Sequence, residues 1–596
     1  MDCDFQFLAP VGEVYPAFGE ALHFHQAGQR AAARAGYLAL MDDPALMAVC
    51  THQLAWLAIA EGDFARAAEL LPLAIRLHPE LPQFYRSLSD LARHLGDTAT
   101  ANRAVKDMAC LLFRLGDEIN GRAVAQEALA LLPGDCGMLG QLAMSFVRQG
   151  ERPAALAHFM AVIRLFGRIE PRLADLIAAL ECRLVDLDWV PLPLSGASPE
   201  TVQGLEEAVS ALGHLLREIG YFSEALACYR LLVEIYPELP ITHFNLALAL
   251  LTSGDFIEGW REYQWHWRSG QADLRYLSLP IPSWQGEPLA GCRILVWAEQ
   301  GYGDVIQFGP LAQSLVRPGV QVVLGVHKPL LRLFKNSFPD LELIERPESP
   351  EQLASLGRFD FKIASMALPV PLGLKLADLP LALDYLRPLP ADRDRWALRL
   401  PRRPGRCRIG LVWAGNVEYP DDKKRSVPFD LLQSLFALPG IDWHTLQIGP
   451  TRNQRIHAKG SVLKDLAPRL HDFADTAAAI ANLDLVISVD TAVAHLAGAM
   501  GQPVWLLARR PSEWRWGDQG DGCPWYPSLR QFRQFEAGDW SGVIERVRNC
   551  LIAEGWSLDR TQGVTAELDL LAPGVLPHKP DWNYGTASLN CGNERI

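Results

Sequence analysis

Glycines at positions 28, 62 and 96 stand 34 residues apart, and the same interval separates Gly116 from Gly150 and Gly220 from Gly254. A fixed period of this length leaves few folds open, because it marks stacked units that are each too small to bury their own apolar face. Around Gly62, the residues Leu54, Ala55, Ala58, Phe64, Ala67, Leu71 and Ala74 recur at helical spacing on both sides of the glycine, and Pro79 comes after them. Leu212, Gly213, Leu216, Phe222, Ala225, Tyr229 and Pro237 repeat the pattern about Gly220. The glycine permits a tight turn between two helices, the alanines let the helices approach, and the proline closes the unit.

This pattern resembles the tetratricopeptide repeat, most strongly at Gly62, Gly220 and Gly254. The resemblance implies an α-helical solenoid whose concave surface suits an extended or helical peptide, so a protein partner is expected, with a scaffold or dimerisation arm as the plainer alternative. Two irregularities interrupt the period. Gly96 and Gly116 are only 20 residues apart, and Leu184 to Glu200 is rich in proline and reads as a loop. The array is therefore read as two short solenoids, a first block over 1–185 and a second over 201–275, joined by a loop at 186–200. At its end, Trp260, Tyr263, Trp265 and Trp267 crowd one helix and read as packing between the array and the second half of the chain.

Beyond about residue 285 the period changes to short apolar runs between helical stretches. Runs at 293–300, 320–326 and 359–365 read as strands of a buried parallel sheet, and after a linker dense in Pro and Arg (389–408) the runs 408–415, 443–449, 483–490 and 503–508 read as another. Two doubly wound α/β halves, 285–390 and 405–555, would enclose a cleft, the usual ligand site of such folds. The stretch 556–596, with Pro573, Pro577 and Pro580, reads as an irregular tail.

Composition narrows the function classes. Hydrophobic residues at 49% and charged residues at 21% are ordinary globular values, and 56 Lys+Arg against 69 Asp+Glu give a net charge of −13 with no long basic stripe. That disfavours a nucleic-acid or anionic-membrane footprint. Eleven scattered cysteines without a CxxC pair argue against structural zinc or a disulfide framework and point to a reducing cytosol. With neither a basic leader nor an apolar run of about 18 residues, the chain is read as soluble, cytoplasmic and not exported. Serine-hydrolase, zincin and phosphate-loop patterns are absent, and the DxD pairs Asp186/Asp188 and Asp392/Asp394 fall in linkers, so they are not read as metal sites.

Specific loops follow specific strands. Glu299-Gln300-Gly301-Tyr302-Gly303-Asp304 is a glycine turn before a helix, but Ile306 stands where a nicotinamide-binding turn needs its third glycine. Asp304 could accept a proton from a hydroxyl nucleophile, or merely cap the helix. In the other half, Asp490 ends a strand, and Thr491 to Ala499 begins a small-residue helix whose N-terminus suits a phosphate, with His495 one turn in. His495 reads equally well as a core histidine. After the strand ending at Gly415-Asn416 comes the charged loop Asp421 to Pro428, whose Lys424 and Arg425 could offset charge on a leaving phosphate or be a solvated run.

QGYGDVIQF (300–308), IGLVWAGN (409–416), KRSVP (424–428), the long stretch 471–507 and CPWYPSLRQFRQ (523–534) together resemble tetratricopeptide-repeat proteins with a glycosyltransferase family 9-like domain, relatives of the lipopolysaccharide heptosyltransferases. The resemblance implies a GT-B fold, inverting transfer from a nucleotide sugar, and neither a required metal nor a cofactor. It assigns Asp304 as catalytic base and places Asn416, Lys424, Arg425, Asp490, Thr491 and His495 at the donor. Ala492 replaces the family glycine of the donor loop. Arg509 and Arg510 stand where the relatives carry a small glycine-containing stretch, and two guanidinium groups there suit the carboxylate of an acidic sugar such as a CMP-linked nonulosonic acid. Three functions are open: a protein O-glycosyltransferase whose array holds the acceptor, with flagellin as the best single candidate; a glycan or lipopolysaccharide-type transferase whose repeats serve assembly; and a non-catalytic scaffold.

Overall fold

The computed structural model describes residues 6–132, 134–192, 204–269, 279–347, 349–419, 422–457, 463–517 and 520–557. Most of the proline-rich interruption, Asp421 and the tail beyond Ser557 lie outside the described residues.

The first half is an α-helical array. Helices Met47–Glu61 and Phe64–Leu77 pair about Gly62, Pro82–His94 and Thr98–Arg114 about Gly96, Cys136–Arg148 and Arg152–Phe166 about Gly150, Leu205–Ile219 and Phe222–Ile235 about Gly220, and Pro240–Ser253 and Phe256–Tyr263 about Gly254. All seven register glycines are left-handed, with φ between 73° and 94°, a region that side-chain-bearing residues avoid. At four of the seven, the residue after the glycine is an aspartate that caps the next helix. The carboxylates of Asp63, Asp97, Asp117 and Asp255 each accept the backbone N–H three residues on, at 3.0 to 3.3 Å.

The short interval between Gly96 and Gly116 has a simple cause. Helix Thr98–Arg114 has a glycine turn at each end, so it closes one unit and opens the next, and the proline-type turn between units is missing. The second irregularity does not divide the array. One apolar core runs from Val105 to Leu250, and helix Leu205–Ile219 packs directly on Arg152–Phe166. The expected pair of short solenoids is thus one continuous stack, because the apolar faces on either side of the interruption bury each other.

The second half contains two parallel sheets. The first is ordered β3-β2-β1-β4, from β1 (Arg293–Trp297), β2 (Gln321–Val326), β3 (Glu342–Glu345) and β4 (Phe361–Ala364). The second is ordered β10-β9-β8-β5-β6-β7, from β5 (Cys407–Val412), β6 (Ile441–Thr445), β7 (Lys464–Asp465), β8 (Leu485–Val489), β9 (Val504–Ala508) and β10 (Leu529–Arg533). The apolar runs seen in the sequence supply the interior. Strands β3, β7 and β10 lie at sheet edges, where half-exposed positions tolerate Glu, Lys and Arg, so they leave no apolar run to read. Strand order reverses at β1/β4 and at β5/β8, which places the loops after β1, β5 and β8 at the switch points where ligands bind.

Array and sheets share a core. Trp260 is 1% exposed, and its ring meets Phe308 of the first α/β half and Trp514 of the second, both at 5.3 Å between centroids. Phe256 stacks on Trp525 at 5.9 Å. Trp267 packs against the opposite face of the first sheet, beside Leu295 and Trp297. Trp265 departs from the expected junction role: it stacks on His243 of the array at 4.0 Å. Trp556 and Ser557, expected to begin the irregular tail, still pack on the second half, against Trp505 and the carbonyl of Pro439.

Candidate active site

Asp304 lies on the short helix Tyr302–Phe308 that follows β1. Its Oδ2 accepts the N–H of Gly301 at 2.9 Å, so it does cap the helix. Its other oxygen is left to face the second half, where it pairs with the guanidinium of Arg515. The cap therefore uses one carboxylate oxygen and leaves the other to meet the opposite half. Arg515 also pairs with Glu513 and lies over the Trp514 ring at 4.2 Å. The pair is enclosed: the side chains of Asp304 and Arg515 are 16% and 12% exposed.

The charges around Arg515 are acidic. Burial pushes the Glu513 carboxyl up to about 7 against the pull of Arg515, and Asp490 and Asp304 push it the same way as burial does. Burial disfavours the Arg515 cation, but Asp304 and Glu513 outweigh it and hold the guanidinium charged. Three carboxylates from three loops thus converge on one cation. Sequence reasoning singled out Asp304 and Asp490 and missed Glu513 and Arg515. The only signal was an alternation of charge and tryptophan, Glu513-Trp514-Arg515-Trp516, in which two ionic residues sit among rings that must be buried.

His495, on helix Ala492–Ala499 after β8, lies between the two halves. Its ring packs on Trp516 at 4.5 Å, and Nδ1 is 3.0 Å from the Tyr526 hydroxyl. Burial, with the nearby Arg515 charge, pulls its pKa down to about 3, so the imidazole is neutral. A Cβ on Gly303 would come within 2.8 Å of the His495 ring, which explains that glycine by close approach of the opposite half. His495 is a wall of the site and a clamp between the halves. Thr491 precedes the helix, with Oγ1 3.0 Å from the Ser488 hydroxyl.

Lys424 and Arg425 belong to a second cluster, at the end of β5. Buried Asp422 accepts from Arg425 Nε at 3.0 Å and from the Ser426 hydroxyl at 2.9 Å, while Ser426 accepts the N–H of Gly415 at 3.1 Å. Arg425 also lies over the Tyr419 ring at 4.7 Å. A Cβ on Gly415 would come within 2.3 Å of Asp422 and 2.6 Å of Arg425, so the strand end needs glycine to admit the charged loop. The amide of Gln447 accepts the N–H groups of Trp413 and Ala414 at 3.1 and 3.0 Å and fixes the same strand end. Asn416 folds back on its own loop, accepting the N–H of Glu418 at 3.2 Å. The array comes close here as well: burial, then the charges of Arg217 and Lys424, lower His214 to about 4.

Arg509 and Arg510 part company. Arg509 follows β9 at the ligand end of the sheet. Arg510 turns to the array, donating to the carbonyl of Glu218 at 3.3 Å and to that of Phe535 at 3.1 Å, so its guanidinium joins two backbones and is not aimed at a sugar. Across the cleft, a cavity of about 770 Å³ is lined by Lys328, Arg332, Lys335, Asn336, His471 and Asp472 among others, and Arg332 bridges the halves to Asp472 and Asp392.

Residues 443–538, which span β6 to β10 with Asp490, His495 and Arg515, match the family model for glycosyltransferase family 9 (heptosyltransferase). The chain carries a heptosyltransferase-like glycosyltransferase domain. Two parallel, doubly wound sheets facing across a cleft give this glycosyltransferase the GT-B arrangement. Among curated proteins, the glycosyltransferase is 25% identical over 567 residues to Protein FlbA of Caulobacter vibrioides (strain ATCC 19089 / CIP 103742 / CB 15), covering 86% of each chain. Among solved structures, the ADP-heptose lipopolysaccharide heptosyltransferase II of E. coli is 14% identical, with a TM-score of 0.33 over 44% of this chain and 99% of that one. YrrB, described as a tetratricopeptide-repeat protein with an unusual peptide-binding site, is 14% identical, with a TM-score of 0.19 over 35% of this chain and 95% of that one. No helix among the described residues is long and apolar enough to cross a membrane.

Proposed function

We propose that this glycosyltransferase is an inverting protein O-glycosyltransferase, moving a sugar from a nucleotide donor to a Ser or Thr hydroxyl of a polypeptide held along the array. The observation that carries the reading is the shared core. Trp260 and Tyr263 of the last array helix are buried against Phe308 and Trp514, which flank Asp304 and Arg515, so a polypeptide lying along the array arrives at the base. A repeat array serving only assembly needs no such junction.

In this mechanism the acceptor hydroxyl oxygen bonds to the anomeric carbon as the bond from that carbon to the donor phosphate breaks. The hydroxyl proton passes to Asp304, and the nucleotide leaves with the electron pair of the broken bond. The N-terminus of helix Ala492–Ala499, with Thr491, receives the phosphate, and Lys424 and Arg425 offset its charge. Arg515 keeps the Asp304 carboxylate oriented until the acceptor arrives. Arg509, which follows β9, is the proposed contact for an acidic sugar. The process needs no metal and no cofactor.

Flagellin is the proposed acceptor, and intact mass of flagellin from cells carrying the wild-type chain or Asp304→Ala at equal abundance tests acceptor and base together. A discrete mass increment present only with the wild type supports both. Equal masses remove flagellin as acceptor or Asp304 as base.

A further inference from the structure

We infer that Tyr263, at the end of the array, is a positioning residue for transfer: its hydroxyl holds the turn that presents Asp304, which makes the array a working part of the catalytic site. The inference rests on the reading of Asp304 as base. Tyr263 is 2% exposed, and its hydroxyl accepts from Gln300 Nε2 at 2.9 Å. Gln300 has φ of 58°, a left-handed backbone that a residue with a side chain adopts only where its surroundings hold it. Two groups hold it here. His327 Nε2 is 3.0 Å from the Gln300 carbonyl, and Tyr263 takes the side chain. The next residue, Gly301, donates to Asp304 Oδ2 at 2.9 Å, so the orientation of the Gln300–Gly301 peptide sets that of the carboxylate.

The residue before Gln300 is held from the same side. His266, whose Nδ1 is 2.7 Å from the Tyr263 carbonyl, reaches Glu299 Oε2 at 3.3 Å. Glu299 and Gln300, the two residues that lead from β1 into the site, are thus both tied to the last turn of the array. Packing alone does not account for Tyr263. Trp260 already fills the junction with Phe308 and Trp514, and phenylalanine would supply the same ring without a hydroxyl that is costly to bury unpaired. The hydroxyl is accounted for by Gln300.

The test uses the full chain and two readouts. In hydrogen exchange, Tyr263→Phe speeds exchange in the segment spanning 299–305 and leaves the segments around Phe308 and Trp514 at wild-type protection. Unchanged exchange at 299–305, or equal loosening of the whole junction, overturns the inference. In transfer to purified flagellin, with the nucleotide-sugar extract of cells lacking the chain as donor, Tyr263→Phe lowers the maximal rate on the order of tenfold with half-saturation by flagellin unchanged. Gln300→Ala loses as much, and the double variant loses no more than either single one. A wild-type rate for Tyr263→Phe, or multiplicative losses in the double variant, overturns the inference. Asp304→Asn in the same assay separates the two levels: an inactive Asp304→Asn beside a fully active Tyr263→Phe sinks this inference alone, whereas an active Asp304→Asn sinks the base.

Discussion

Arg515 is the residue on which the site's electrostatics turn, since Asp304, Glu513 and Asp490 surround it in a largely enclosed space. Removing a cation from such a setting leaves carboxylates uncompensated, a loss typically of about 3–5 kcal/mol, most of it the cost of the stranded charge. Arg515→Ala is expected to lower the denaturant midpoint accordingly and to abolish transfer, while Arg515→Lys recovers much of the stability and little of the rate, because an ammonium cannot serve two carboxylates in a fixed fork. A stable, inactive Arg515→Ala protein would mean that the carboxylates find protons or water instead. The buried histidines set a separate pH dependence. His495 and His52 are held down to about 3 and His214 to about 4, in each case chiefly by burial, whereas in the unfolded chain they protonate near their ordinary 6.5. Between pH 6.5 and about 4 these rings therefore bind more protons in the unfolded state than in the folded one, so their contribution to stability is complete above pH 6.5 and falls as the solution is acidified, against the opposing contribution of the Glu513 carboxyl, raised to about 7, which takes up its proton first in the folded state. Urea midpoints measured from pH 7 to pH 4.5 should decline steadily, and a flat profile would contradict the enclosure of these rings.

Glycines act at the scale of elements, and for two different reasons. Gly62 is left-handed with no atom where a Cβ would fall, so Gly62→Ala should cost about 1 kcal/mol in unfolding experiments and leave transfer unchanged. Gly303 is helical, and its Cβ would press on the His495 ring of the opposite half. Gly303→Ala should therefore cost about 1–3 kcal/mol and reduce transfer at least as sharply as it reduces stability, since the ring it displaces lies beside Arg515. The same contrast shows what a sequence discloses. A left-handed turn repeated every 34 residues leaves the same residue type at the same interval, so the array is legible by counting. Interior strands are legible because burial on both faces demands apolar runs. The edge strand Glu342–Glu345 answers to neither rule, whereas β4, also at an edge, keeps a buried, mainly apolar run. At the site, Asp304, Asp490 and His495 stand out as residues in recognisable turns, but the enclosure of His495 does not. Arg515 and Asp304 are 211 positions apart, and nothing local to either announces a partner that only the closing of two sheets supplies.

At the scale of the whole molecule, the array and the transferase are one body with a common apolar core. Array residues Leu251, Phe256, Trp260 and Tyr263 belong to the same buried cluster as Phe308, Trp514 and Trp525. A further tie is the Arg510 guanidinium on the Glu218 carbonyl. A chain cut to begin at residue 280 would expose those three aromatic rings together, several hundred Å² at about 150–250 Å² each, which exceeds what a monomeric surface usually carries. It should aggregate or melt well below the full chain. A chain beginning at residue 204 keeps helices Leu205–Ile219 through Phe256–Tyr263, and with them the cover over Trp514 and the Arg510 contact, but loses Arg152–Phe166 from the face of Leu205–Ile219, so it should melt below the full protein and above the chain cut at 280. That shorter chain also keeps Tyr263 against Gln300 but lacks the surface of the earlier units, so it should transfer to a short Ser/Thr peptide at close to the full maximal rate while losing affinity for a folded protein acceptor. Size-exclusion chromatography and thermal unfolding of both truncations, with peptide and protein acceptors compared, decide the matter. A monomeric 280–557 chain melting with the full protein would show that the aromatic junction is incidental and that the array is a separable arm.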